Sequence, residues 1–153
     1  MTRTGEPTFR DLSADEAADL LARNHIGRIA YSFHDRVDIE PLSYVFADGA
    51  IYLRTAPVSK LETLAHSPWA AFEVDEVEGP FDWRSVVVHG TVYVLQEGGG
   101  EVAHEAYRVA LDRIRQLVPA ALTPRDPTPT RQVILKLHLA NLRGRSASSS
   151  GSS

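Results

Sequence analysis

The order of apolar and polar positions along the chain predicts a mainly β protein with a few helices. Alternation of apolar and polar residues, which gives a strand two different faces, marks six segments. The predicted strands are residues 26–33, 37–46, 50–56, 69–75, 83–95 and 133–139. Helical spacing and capping patterns, such as the capping box of Ser13 and Glu16, mark three further segments. The predicted helices are residues 14–24, 59–66 and 101–118, after a loose arm or short strand at residues 1–10.

Most links between the predicted strands are short turns, such as Ala-Asp-Gly at residues 47–49. Parallel strands need crossovers of a dozen or more residues, so these links favour antiparallel pairing. An antiparallel barrel or sandwich carrying two or three helices is the expected architecture. Residues 76–80 are predicted to be a polar loop, and residues 119–130, which contain four prolines, an extended loop.

The length of 153 residues fits one domain, which we expect to span residues 1–145. Residues 146–153 are nearly all serine and predict a disordered tail.

Charge and composition narrow the function classes. The net charge of -4 argues against a nucleic-acid binder, which would be basic. The chain has no cysteine, which excludes disulfides and thiol catalysis. No apolar run approaches the roughly 20 residues needed to span a bilayer, and no signal peptide is evident. We therefore expect a soluble, cytoplasmic protein that binds neither nucleic acid nor membrane.

The junction at the end of the third predicted strand has the composition of an anion site. Arg54 and Thr55 end the strand, and Ser59 and Lys60 begin the next helix after a proline. Two cations, two hydroxyls and the free N–H groups of a helix N-terminus can hold a phosphate. The alternative is that Ser59 and Glu62 form a capping box, with Ser59 used by its own helix.

Two other segments are candidate ligand contacts. Trp83 begins a strand after a Gly-Pro loop and could border a flat aromatic ligand. The alternative, which the residue by itself favours, is an ordinary residue at the rim of the core. Pro41, in the segment Pro41-Leu42-Ser43, lacks an N–H donor and so predicts a strand edge or bulge. Backbone groups exposed there could hydrogen-bond a ligand, or the segment could be an edge strand and nothing more.

The sequence offers no convincing catalytic or metal-binding motif. The six histidines show no ligand spacing, and the triple glycine at residues 98–100 is not followed by the lysine of a P-loop. No nucleophile, histidine and acid can be singled out as a triad. We therefore predict neither a catalytic side chain nor a metal site.

In their order and spacing, these segments resemble the FMN-binding split-barrel, or pyridoxamine 5′-phosphate oxidase-like, family, and within it the nitroimidazole-reductase-like branch. The matching motifs are GRIAY at residues 27–31, PLSYV at 41–45, IYLRTA at 51–56, SKL at 59–61, AFEVD at 71–75 and WRSVVVHG at 83–90. The resemblance covers residues 10–95 well and the last predicted strand loosely.

The resemblance implies a six-stranded antiparallel split barrel that forms a homodimer with FMN at the subunit interface. It implies that Arg54, Ser59 and Lys60 hold the FMN phosphate with help from Thr55. Pro41, Leu42 and Ser43 would lie along the flavin ring. Trp83 and Ser85 would line the ribityl and ring region, from the same subunit or from its partner.

Two departures from the family pattern bear on function. Val58 stands where relatives often carry glycine, which would restrict approach of the backbone to the phosphate. The substrate-binding motif at the C-terminus of true pyridoxamine phosphate oxidases is missing, so oxidation of vitamin B6 is not expected. The resemblance then implies an FMN-dependent oxidoreductase that reduces or oxidises a small planar molecule. The alternatives are a deazaflavin-dependent reductase on the same barrel and a flavin-binding or sensing protein without turnover.

Overall fold

The computed structural model describes residues 6–57 and 68–149. Within these two ranges, seven strands and two helices form in the order β1 (Thr8–Asp11), α1 (Ala14–Arg23), β2 (Ile26–Phe33), β3 (Arg36–Ala47), β4 (Ala50–Thr55), β5 (Trp69–Gly79), β6 (Asp82–Leu95), α2 (Glu101–Leu117) and β7 (Val133–Ser148). The predicted helix at residues 59–66 lies outside the described residues.

All strand pairs are antiparallel, and six of the strands form a closed ring in the order β7, β4, β3, β2, β5 and β6. Strand β7 closes the ring because it pairs with nearly the whole length of β6. On its other edge, β7 pairs first with β4 and, towards its end, with β1. The predicted split barrel is confirmed, and β1, which the sequence left as an arm or short strand, is its seventh strand.

Side chains point alternately into and out of the barrel along every strand, and those that point inwards are mostly apolar. Tyr44, Phe72 and Leu53 are among its fully buried side chains. Helix α1 packs Leu20 and Leu21 against this core and begins with a complete capping box between Ser13 and Glu16. The capping predicted from the sequence is therefore confirmed.

Helix α2 covers part of the outside of the barrel. Its residues Ala110 and Ile114 pack on Ala50, Tyr52 and Ile134, which lie on the outer faces of β4 and β7. This second apolar cluster explains why β4 is buried on both faces. Neither α1 nor α2, the helices of the described ranges, is long and apolar enough to cross a lipid bilayer.

The structure corrects two predictions about strand ends. Residues 76–79, assigned to a polar loop, continue β5 as far as Gly79. Arg23, Asn24 and Arg84 lie around the Glu76 carboxylate, so a charged residue is accommodated within a strand.

Residues 146–148, assigned to a disordered tail, belong to β7, where Ser146 and Ala147 are buried. Their backbones are paired with β1 on one side and β6 on the other. Pairing on both edges satisfies the hydrogen-bonding groups of the main chain. The segment therefore forms a strand although its side chains show no alternation of apolar and polar residues. Residues 150–153 of the predicted tail lie outside the described residues.

Gly90 marks a close contact between β6 and β7. A Cβ atom at this position would lie 1.9 Å from the carbonyl oxygen of His138. The pairing register shifts between His89 and Gly90, as at a β-bulge. Gly90 thus combines a β-bulge with a close approach of the two backbones.

Candidate functional site

Arg54 lies at the end of β4 on the outer face of the barrel, and only 7% of its surface is exposed. All five of its N–H donors have acceptors within the chain. The Nε group donates to the carbonyl oxygen of Arg131 at 2.9 Å. The two terminal nitrogens donate to both carboxylate oxygens of Asp126, to the Oγ1 of Thr128 at 3.2 Å and to the carbonyl oxygen of Thr128 at 3.4 Å. Arg54 thus fastens residues 126–131 to the barrel.

Asp126 is the counter-ion of Arg54, and its side chain is 2% exposed. Its carboxylate also accepts the backbone N–H of Leu122 at 2.8 Å and that of Thr128 at 3.0 Å. Hydrogen bonding from Arg54 and from these two amides holds the pKa of Asp126 well below its usual range, although burial acts in the opposite direction. The carboxylate therefore stays charged and paired with Arg54 at any physiological pH.

This ion pair bears directly on the predicted anion site. A phosphate that reached Arg54 would compete with Asp126 for the same N–H groups. Thr55 is buried and follows Arg54 directly on β4, so its side chain points to the opposite face of the strand. Ser59 and Lys60 lie outside the described residues, and their assignment to the phosphate stays a prediction.

Ser43 and Arg54 line the same cleft of about 100 Å³ between the outer face of the barrel, the end of α2 and residues 127–131. Pro41 and Ser43 are exposed, and Leu42 between them is buried in the barrel interior. Of the three residues predicted to lie along a flavin ring, Pro41 and Ser43 thus face outwards and Leu42 faces the core.

A polar row crosses the outer face of the barrel next to Pro41. Arg28 on β2 lies opposite Pro41 on β3 and opposite Glu73 on β5. Its guanidinium lies 3.2 Å from the Glu73 carboxylate, which also accepts the Ser85 hydroxyl at 2.8 Å. Burial raises the pKa of Glu73, and the hydrogen bond from Ser85 opposes this shift. The structure therefore places predicted residues Pro41 and Ser85 on one face, connected through Arg28 and Glu73.

Several large apolar side chains on the strands of this region are left exposed to solvent. Val37 is 79% exposed, Ile26 65%, Ile39 63% and Trp69 56%. An exposed apolar area of this kind is typical of a surface that binds another molecule.

Trp83 lies near the start of β6, in a different cleft from Arg54. It borders an open cleft of about 310 Å³ with Asp82 and Arg84, and its ring lies 6.4 Å from that of Phe9 on β1. Trp83 pairs with Ala147 near the end of β7, whereas Arg54 pairs with Ile134 near its beginning. At about 3.3 Å per residue, roughly 40 Å of strand separates the two positions. The two residues also line different clefts.

Sequence reasoning missed Asp126 and the Arg28–Glu73 pair. The motif Asp126-Pro127-Thr128 is a turn signal, because an Asp carboxylate can accept the N–H two residues on. That signal finds the local hydrogen bond to Thr128, but nothing local indicates a partner as distant along the chain as Arg54. Within residues 6–57 and 68–149, no cluster of three His, Asp or Glu side chains could hold a metal ion.

Comparisons with known proteins agree with this architecture. An FAD-binding protein from Mesorhizobium loti is 26% identical, with the alignment covering 92% of this chain and 99% of that one at a TM-score of 0.71. The FAD-binding protein of Mycobacterium smegmatis has the same fold, at 23% identity, 89% and 98% coverage and a TM-score of 0.65.

An uncharacterised protein of Rhizobium meliloti is 26% identical over 81 residues. That alignment covers 53% of this chain and about half, 54%, of the relative. The family model described as pyridoxamine 5′-phosphate oxidase matches residues 13–146, which include every element from α1 to β6 and most of β7. The chain therefore belongs to the pyridoxamine 5′-phosphate oxidase family.

Proposed function

We propose that this protein binds a flavin and uses it to reduce or oxidise a small planar molecule. The observation that carries the proposal is the match to the FAD-binding protein of Mesorhizobium loti, which extends over nearly the whole of both chains. A bound flavin would supply the redox chemistry, which is consistent with a sequence that contains no convincing catalytic side chain. The protein would supply binding, orientation and an open face for the substrate.

The residues available to a flavin fall into two groups. Pro41, Ser43 and Ser85 lie on the outer face of the barrel, where donors, acceptors and exposed apolar side chains are all present. Arg54, with Ser59 and Lys60 beyond it in the sequence, is the proposed phosphate end. The cleft beside Arg54 contains both apolar side chains and the Ser43 hydroxyl, a mixture that suits an organic ligand.

We further propose that two copies of the chain build each site. Trp83 and Arg54 pair with positions near opposite ends of β7 and line different clefts of one protomer. A second copy packed on the exposed apolar face could bring its Trp83 close to the first copy's phosphate end. This arrangement would also bury Val37 and Ile39, which are exposed in one protomer.

The first test is the visible absorption spectrum of the purified protein, followed by release of the ligand and its identification by mass. A flavin band near the ordinary flavin maxima supports the proposal, and a colourless protein that does not quench added FMN or FAD contradicts it. We propose FMN because of the predicted phosphate residues, whereas the Mesorhizobium loti relative favours FAD. The mass of the released ligand separates FMN, FAD and a deazaflavin.

Turnover is tested separately with the flavin-loaded protein. Oxidation of a nicotinamide or another reductant, coupled to reduction of a planar acceptor, supports an oxidoreductase. Bound flavin that no reductant or acceptor turns over supports the flavin-sensing alternative.

The shared site is tested by mixing subunits. Lys60→Ala and Trp83→Ala variants are each expected to bind flavin weakly. If each site uses Lys60 from one copy and Trp83 from the other, a mixed dimer contains one intact site. Co-refolding the two variants should therefore restore part of the flavin binding. No restoration, with mixed dimers demonstrated by mass, contradicts sharing of the site.

A further inference from the structure

The contact between Arg54 and Asp126 resembles the way an arginine holds a phosphate. The two terminal nitrogens of Arg54 face the two oxygens of the carboxylate. A guanidinium presents the same planar pair of donors to a carboxylate and to a phosphate. Asp126 thus occupies the position that a ligand's phosphate would take on this side chain.

Asp126 would keep hydrogen-bond partners if Arg54 left it. Its carboxylate accepts the backbone N–H of Leu122 at 2.8 Å, and the backbone N–H and hydroxyl of Thr128 at 3.0 and 3.4 Å. Arg54, in contrast, is buried and needs an anion near it, because an unpaired buried charge is very costly. An exchange of Asp126 for another anion therefore keeps Arg54 paired with a negative charge and leaves Asp126 hydrogen-bonded to the amides of Leu122 and Thr128.

An incoming anion has a route to this pair. The cleft of about 100 Å³ is lined by Arg54 together with Ser43, Pro127, Thr128 and Arg131. The same residues 127–131 form its wall, and Arg54 bonds to two of their carbonyl oxygens. Loss of the Arg54 contacts would release this wall from the barrel.

We propose that Asp126 is an internal substitute for the cofactor phosphate, held by Arg54 until a phosphorylated ligand displaces it. The displacement frees residues 126–131 from β4, so that this part of the loop before β7 reports whether the phosphate is bound. A flavin without a phosphate leaves the Arg54–Asp126 pair in place. This inference rests on the proposed flavin binding and adds to it a residue that sets the selectivity for phosphorylated cofactors.

The test compares FMN with riboflavin, which lacks the phosphate, on the wild-type protein and on Asp126→Asn. Asparagine keeps an oxygen that can accept an amide N–H but removes the competing charge. We expect FMN to bind Asp126→Asn about tenfold more tightly than wild type, the effect of one charge-assisted hydrogen bond. Riboflavin should bind both proteins equally. Asp48→Asn is the matched control, since it removes the same charge from an exposed ion pair with Arg113.

Hydrogen exchange on the wild-type chain gives a second measurement that needs no variant. FMN, but not riboflavin, should speed exchange of the amides in residues 126–131. FMN affinity that is unchanged or lower in Asp126→Asn, or exchange in residues 126–131 that FMN leaves unaltered, overturns this inference alone. If neither flavin binds, the proposed function fails together with it.

Discussion

The two ends of the β6–β7 ribbon are built in different ways. At the Arg54 end, helix α2 and residues 119–131 cover the outside of the barrel, and a buried ion pair joins them to β4. At the Trp83 end, an open cleft of about 310 Å³ lies between the strands, and Phe9 and Phe81 are about half exposed. The first end is complete within one chain, whereas the second presents aromatic and charged side chains to solvent.

This difference indicates how the two ends can contribute to one function. Removing one partner of a covered ion pair leaves an uncompensated buried charge, so a competing anion is needed to open the pair. An open aromatic surface can contact a flat ligand or another subunit without rearrangement. We infer that the Arg54 end determines which ligand is accepted and that the Trp83 end completes the site from the partner.

The largest expected effect is a loss of stability from a substitution at Gly90, which lies between the two ends of the ribbon. Gly90→Ala places a Cβ atom against the carbonyl oxygen of His138, which the backbone of β7 holds in place. We expect a loss of about 3 kcal/mol or more in the free energy of unfolding, at the upper limit of overpacking effects. Urea denaturation measures it. Gly98→Ala, with no heavy atom within 4 Å of its Cβ, is the control and should change stability little. Equal stability of the two variants would show that β6 and β7 are not held this closely.

The second effect tests ligand binding at the Arg54 end. Lys60→Ala should weaken FMN binding by roughly 1.5–3 kcal/mol, about tenfold to a hundredfold in affinity, because a charge-assisted contact is lost. A flavin fluorescence titration measures the affinity. Lys136→Ala is the control, because Lys136 lies over the Tyr52 ring on the outside of the barrel. A Lys60→Ala protein that binds FMN like wild type would remove Lys60 from the site.

The third effect tests how loosely the Trp83 end is packed. Phe9→Ala removes the tilted contact with the Trp83 ring, and aromatic pairs of this kind contribute about 0.5–1.5 kcal/mol. Because Phe9 is half exposed, we expect thermal unfolding to show a loss within that range and no change of fold. A much larger loss would mean that β1 is an essential part of the barrel and that this end is not open.

The smallest effect concerns pH at the Trp83 end. Hydrogen bonds from Arg23 and Asn24 lower the pKa of Glu76 from 4.5 to about 2. A carboxylate with a lowered pKa stabilises the fold above pH 4.5, and this stabilisation is lost as the pH falls towards 2. The effect is small because Arg23 and Glu76 both reach water. Urea midpoints between pH 7 and pH 2.5 should fall less for Glu76→Gln than for wild type. Parallel curves for the two proteins would contradict the shift.

Much of the fold was predictable from local patterns. Alternation located the six ring strands, and the ends of β2, β4 and β6 agree within one residue of those predicted. Helical spacing located α1 and α2, and the Ser13–Glu16 motif predicted the start of α1 correctly. These features follow from interactions between residues close in sequence, which is why the sequence reveals them.

The candidate site was only partly predictable. Pro41, Ser43 and Ser85 face outwards as ligand contacts should, and alternation along a strand is enough to place them on one face. The partner of Arg54 was not predictable, because Asp126 lies in another segment and meets Arg54 only when β4, α2 and β7 have packed. The end of β7 was missed for a similar reason, since Ser146 and Ala147 are held by pairing with β1 and β6 rather than by their own pattern.

The sequence by itself determined the family, the antiparallel strands and the residues able to contact a ligand, because periodicity, turn chemistry and motif spacing are local properties. Only the tertiary structure decided that the Arg54 charge is neutralised by Asp126 and that Trp83 lies roughly 40 Å of strand away from it. Those facts depend on strand register and on which segments cover the barrel. Both arise from contacts between residues that are far apart along the chain.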